Sequence, residues 1–164
     1  MKQYNNDLTP EILASLQEPA FTPEQIAEMP EDARKIVMEQ LALQQRPVAA
    51  IYRPAVAGSL TRQGGIADEF EPDPNKGVKA LLSNGQYASV LFEGCTVTYA
   101  DGTKSRIATS AGQSHTVAGK GMGLVGSFLE NGDEIVSTPA NSGFIVKYED
   151  DPVAEDFLSA HEVA

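Results

Sequence analysis

Arg53-Pro54-Ala55-Val56-Ala57-Gly58-Ser59-Leu60-Thr61-Arg62-Gln63-Gly64-Gly65-Ile66 is the stretch on which the reading of this chain turns. A short apolar run enters Gly-Ser, a few variable residues follow, and a further glycine leads into an isoleucine. The pattern returns 68 residues later as Gly123-Leu124-Val125-Gly126-Ser127, followed by Gly132-Asp133-Glu134-Ile135. A recurring strand–turn–strand unit indicates a small pseudo-symmetric β module, in contrast to an enzyme built around one pocket.

The surrounding sequence supports this. All 14 glycines lie between Gly58 and Gly143. Val48-Ala49-Ala50-Ile51-Tyr52 and Ala88-Ser89-Val90-Leu91-Phe92 are short apolar runs of strand length. Thr96-Val97-Thr98-Tyr99 meets Asp101-Gly102, a strong hairpin signal, and returns as Lys104-Ser105-Arg106-Ile107-Ala108. Asn84-Gly85 and Asn131-Gly132 mark two more tight turns, and Phe144 to Tyr148 reads as a last strand. Glu69 to Asn75, rich in proline and acid, reads as an exposed loop. Gly119-Lys120-Gly121-Met122-Gly123 lacks the Lys-Ser/Thr ending of a phosphate-binding loop and marks a sharp turn or a close approach of strands. Short strands at this spacing suggest a compact all-β unit.

The first 47 residues contain no glycine and read as helices. Thr9-Pro10-Glu11 supplies an N-cap, a proline at the first helical position and an acid in the first turn, for a helix over Pro10 to Gln17. Thr22-Pro23-Glu24-Gln25 repeats the signal, with Gln25 placed for a capping box. A third helix runs from Pro30 to about Gln45, where Pro47 stops it. Ala33, Ile36, Val37 and Leu41 form its narrow apolar stripe, with Met38 beside it. That stripe is expected to pack on the β module or on another chain.

Net charge is −11, which argues against nucleic acid, because phosphate binding rests on clustered Lys and Arg. The acidity sits at the ends. Residues 1–46 hold eight acids and four bases, residues 47–148 nine and eight, and residues 149–164 six and none. An acidic tail either stays solvated or docks on a basic partner. No apolar run approaches the roughly 18 residues that span a bilayer. The N-terminus has no apolar signal region, so Sec export is not expected.

Catalytic sets are poor. The chain has two histidines, His115 and His161, and adjacency alone does not pair Ser114 with His115 as nucleophile and base. Asp68-Glu69 and Asp133-Glu134 are neighbours in strand or turn and point apart, unlike acid–base partners. A lone Cys95 rules out an internal disulfide and any cysteine-only zinc site. Cys95 reads as a small buried residue; as a metal ligand, it could be joined by His115, and the remaining ligands would come from carboxylates, His161 or another chain.

Residues Arg53 to Gly65, and Gly121 to Val136 after them, resemble the PAAR-repeat element apolar–x–Val–Gly–Asp–x–Thr–x–x–Gly–Gly. PAAR-repeat proteins are small conical β proteins that cap the spikes of phage tails and type VI secretion machines. The resemblance implies a mainly β fold. A conical hairpin module would span residues 48–148, a helical extension 1–47, and an acidic tail 149–164. It implies a non-enzymatic tip protein at the virion's tail baseplate, made in the host cytoplasm. That protein would cap a homotrimeric spike or hub protein and sharpen it for membrane penetration. Gly58, Ser59, Gly64, Gly65, Gly126, Ser127 and Gly132 would be its turn and spike-contact positions. The helices and acidic tail would meet neighbouring tail or baseplate proteins.

The sequence departs from the family at several places. Ser59 and Ser127 stand where Asp is usual, and Gln63 where a metal-ligating His is common. The family's apical ion takes three His and one Cys, a set this chain lacks. For a structural ion, zinc or iron, Cys95 and His115 are the candidates. Two other functions fit the residues: a virion decoration or assembly protein, and a small cell-wall hydrolase using His115 and Asp101.

Overall fold

The computed structural model describes residues 2–141 and 143–158. The chain is mainly β with a short helical N-terminal region. The described residues divide into a helical unit, residues 7–50 with 146–151, and a β unit built from residues 2–6, 51–141, 143–145 and 152–158.

In the helical unit, α1 spans Pro10–Gln17, α2 Pro23–Glu28 and α3 Glu31–Gln44. Thr9 Oγ1 accepts from Ile12 N–H, and Thr22 and Gln25 form the reciprocal capping box that their spacing announces. Arg34 closes the other end of α2, its guanidinium donating to the carbonyls of Ile26, Ala27 and Met29. These are carbonyls a helix end leaves without partners. The apolar stripe of α3 is narrower than its sequence implies. Val37 and Leu41 line a small gap with Pro19, Ala20, Phe21 and Ile26, whereas Ile36 and Met38 are exposed. The stripe therefore packs on the segment around α2 in its own unit. Residues 146–151 join this unit through Arg46, which reaches Asp150 and Asp151 at 3.1 and 3.2 Å and stacks 4.1 Å from the Tyr148 ring.

The β unit has two tiers. One comprises two two-stranded ribbons, β4 (Lys79–Leu81) with β5 (Tyr87–Ser89) and β8 (Thr116–Val117) with β9 (Lys120–Gly121); a third ribbon, β1 (Val48–Tyr52) with β11 (Ile145–Tyr148), lies mostly in the helical unit. The other comprises three hairpins. β2 (Leu60–Thr61) pairs with β3 (Ile66–Ala67), and β6 (Thr96–Thr98) with β7 (Lys104–Arg106). The third hairpin joins Phe128 to Glu134 and leads into β10 (Ile135–Ser137).

The hairpins also pair with one another. β10 lies beside β2, β3 beside β6, and the segment around Leu129 beside β7, where Ala108 N–H and Glu130 N–H donate to Phe128 O and Arg106 O. The sheet closes on itself and leaves no edge to recruit a stray strand. Corresponding positions of the three hairpins are buried: Ala67, Ile107 and Ile135, and again Thr61, Val97 and Leu129. At roughly 25 cal/mol per Å2 of buried apolar surface, Val97, Ile107, Leu129 and Ile135 contribute about 1.5–3 kcal/mol each.

Both ends of the chain attach to this unit. Residues 2–6, which fall within the helical extension when read from sequence, lie instead along the β unit. Tyr4 exchanges backbone bonds with Thr138, and the Asn6 side chain bridges Arg53 N–H and Val125 O. Phe157, in the acidic tail, is buried against Ala111 and Leu124, 4.9 Å from the Tyr52 ring. The final six residues, His161 among them, lie outside the described ones.

Candidate functional site

Gly58 and Gly126, the glycines of the two repeated bends, have φ of +93° and +103°, which side chains with a Cβ rarely adopt. The following serine folds back in both. Ser59 Oγ accepts from Val56 N–H at 3.0 Å, Ser127 Oγ from Leu124 N–H at 2.9 Å, and the serine N–H groups donate to Val56 O and Leu124 O. These two stretches occupy equivalent places in the β unit.

A third place is equivalent to them. Gly94 also has φ +93°, Cys95 N–H donates to Phe92 O, and Cys95 Sγ accepts from Phe92 N–H at 3.5 Å. The repeat is therefore threefold: Ala55–Ser59, Leu91–Cys95 and Gly123–Ser127. The sequence carried a signal for the middle copy, a glycine followed by a small residue 36 positions after Gly58 and 32 before Gly126. Cysteine in place of serine hid it.

The three segments are joined in two rings of backbone bonds. Ala55 N–H donates to Gly123 O, Gly123 N–H to Leu91 O, and Leu91 N–H to Ala55 O, all at 2.8–2.9 Å. In the second ring, Ala57 donates to Ser89 O, Glu93 to Gly121 O and Val125 to Arg53 O. Below the bends, Gly58, Gly94 and Gly126 donate to Ala67 O, Ile107 O and Ile135 O. The geometry is a pseudo-threefold arrangement made by one chain. Gly121 fits because the strands approach closely there: a Cβ would lie 2.0 Å from Ser110 Oγ.

The two metal candidates lie in different settings. Cys95 is buried among Ala55, Leu91, Val97 and Ile107, and burial pushes its thiol above the ordinary range. His115 is exposed, and its nearest polar partner is Ser114 Oγ at 3.2 Å. That hydroxyl donates to Ala111 O, so Ser114 is committed to backbone. Among the described residues, no three His, Cys, Asp or Glu come together as a metal set. Asp101, suggested as a partner of His115, instead accepts from the Thr103 N–H and hydroxyl.

Gln63, Gly64, Tyr99, Ala100, Asp101, Thr103 and Asn131, drawn from the three hairpins, line one open recess of about 520 Å3. Beneath it Asp133 is buried and fully engaged. Tyr99 Oη donates to it at 2.5 Å, and the N–H groups of Gln63 and Glu134 donate at 3.2 and 2.8 Å. Burial pushes the Asp133 carboxyl up, but bonds from Thr61, Tyr99 and the backbone outweigh it and hold it below the usual range. Its neighbour Glu134 turns the other way, to Arg62 at 2.9 Å. Asp68 likewise takes Thr96, Thr98 and Lys104, while Glu69 takes Ser89 N–H and lies near Lys79. Neither carboxylate pair is arranged for acid–base work.

Compared with protein-family models, with curated proteins and with solved structures, the chain matches none. No helix among the described residues is long and apolar enough to cross a membrane.

Proposed function

We propose that this chain is a PAAR-type spike-tip protein. One copy caps the end of a homotrimeric spike in a phage tail baseplate or related contractile injection machine, as a structural part with no catalytic role. The observation that carries this reading is the pair of three-membered backbone rings, Ala55–Gly123–Leu91 and the ring through Ala57, Glu93 and Val125.

The physical argument is one of matching symmetry. The end of a homotrimer presents the same surface three times about its axis. A single chain can satisfy all three only if it offers three like surfaces itself. Here each bend is preceded in the chain by one strand of a ribbon, β1, β5 or β9. The β4–β5 ribbon also exposes Val78, Leu81 and Tyr87, apolar surface of the kind that protein contacts bury. The hairpin tier, closed on itself, forms the free end. The helical unit and acidic tail remain for contacts with neighbouring tail proteins.

Copy number tests the reading. Quantitative mass spectrometry of purified particles, and native mass spectrometry of the complex released from them, should give one copy of this chain per three spike chains. Hundreds of copies per particle would replace it with the decoration reading, and self-association into a trimer would end it.

A further inference from the structure

We infer that the recess between the three hairpin turns is a saccharide site, taking a neutral sugar unit of a polysaccharide. At about 520 Å3 the recess is broad and open to solvent, with room for one sugar unit along its surface. Its lining decides the ligand class. Gln63, Asp101, Thr103 and Asn131 are polar, and Tyr99 supplies the one aromatic ring, so polar and apolar surface line it side by side, as a sugar requires. No Lys, Arg or His lines it, and Asp101 carries negative charge, so phosphate, sulfate and carboxylate are repelled. A metal ion would need several ligands, and no such set exists among the described residues.

A polyhydroxylated ligand matches this mixed lining. Planar amides and carboxylates offer paired hydrogen-bonding atoms that match vicinal hydroxyls, and an aromatic ring takes the C–H face of a pyranose. Gln63 and Asp101 keep such atoms uncommitted. Gln63 enters the fold's hydrogen bonding through its backbone N–H, to Asp133. Both Asp101 bonds fall on Oδ1, leaving Oδ2 for a ligand. The frame is already set. Asn131 Nδ2 donates to Tyr99 Oη, Tyr99 Oη to Asp133, and Asn131 Oδ1 accepts from Asp133 N–H. Little ordering is left for binding to impose.

The inference stands on the recess alone, so it fails or survives separately from the copy number on a spike. The test is a titration of the full 15N-labelled chain with chitotetraose and maltotetraose, followed by amide shifts. At least one sugar should give saturable shifts centred on Gln63, Gly64, Asp101, Thr103 and Asn131. Gln63→Ala, whose side chain supports nothing in the fold, should keep the wild-type melting temperature and weaken binding about tenfold. Several results would overturn the inference: no saturable shift with either sugar, shifts centred elsewhere, or undiminished binding by Gln63→Ala. A response of these amides to inorganic phosphate or calcium in place of the sugars would do the same.

Discussion

Tyr99 Oη and Asp133 Oδ2 lie 2.5 Å apart, a charge-assisted bond that ties the second hairpin to the third. Asp133 is only 2% exposed, so losing this donor leaves a carboxylate oxygen short of a partner where water is scarce. Tyr99→Phe should therefore cost about 1–3 kcal/mol in chemical denaturation. Tyr87→Phe, at an exposed position on β5, should change stability by less than about 0.5 kcal/mol. Equal effects at the two sites would contradict the role given to this bond.

The same carboxylate sets an acid limit. Its folded pKa lies below the ordinary value, so its contribution is fully present above that value, near pH 4, and is lost as pH falls through the folded pKa. Stability should hold from neutral pH to about pH 5 and decline below about pH 4. Asp133→Asn should reduce the difference in melting temperature between pH 7 and pH 3. Asp68, also held low by bonds from Thr96, Thr98 and Lys104 that outweigh its burial, keeps the difference from vanishing. An unchanged pH profile in Asp133→Asn would refute the assignment.

The three bends should respond alike to one substitution. Gly58→Ala, Gly94→Ala and Gly126→Ala each force a Cβ into left-handed backbone, at about 1–2 kcal/mol apiece. Gly143→Ala meets no atom within 4 Å and has no such φ, so it should be close to neutral. If Gly94 tolerated alanine while the other two did not, the middle segment would not be a true third copy.

Cys95 should be replaceable by the residue its counterparts carry. Cys95→Ser supplies an oxygen to Phe92 N–H, as Ser59 and Ser127 do for Val56 and Leu124, and should stay within about 1 kcal/mol of wild type. Elemental analysis of both proteins checks the alternative. A stoichiometric metal in the wild type that disappears in Cys95→Ser would restore Cys95 as a ligand.

Phe157 gives the acidic tail an internal role. Truncation to alanine removes a ring packed on Tyr52, Ala111 and Leu124, and should cost about 3–5 kcal/mol in thermal or chemical unfolding of the isolated chain. A loss below 1 kcal/mol would mean the tail is held by something other than this contact.

The legible parts of the fold were those written in local chemistry. Thr9-Pro10 and Thr22-Pro23 announce their helices because caps act within one turn, and Asp101-Gly102 and Asn84-Gly85 announce hairpins because the turn conformation needs those residues. Two of the three bends could be read from Gly-Ser. The third could not, because a thiol in the same bend does not look like a hydroxyl in a string of letters. Long-range pairing left no local trace. Nothing near Tyr4 indicates a bridge to Thr138, and nothing in Asn6 indicates that its amide spans Arg53 and Val125. On α3, Ile36 and Val37 look equally apolar, and only the position of Pro19–Ile26 decides which of them is covered. The recess was missed for the same reason: Gln63, Tyr99 and Asn131 are far apart in sequence and meet only once the sheet closes.

Near-identical sides carry a cost in orientation. A ring that repeats its backbone pattern every third of a turn offers any threefold partner three nearly degenerate rotational settings. What breaks the tie must come from where the copies differ. Cys95 and Ile107 are twelve positions apart, whereas Ser59 and Ala67, like Ser127 and Ile135, are eight apart, and the chain's two ends dress only some of the sides. Bond pattern governs whether such a plug fits; its irregularities govern which way round it sits.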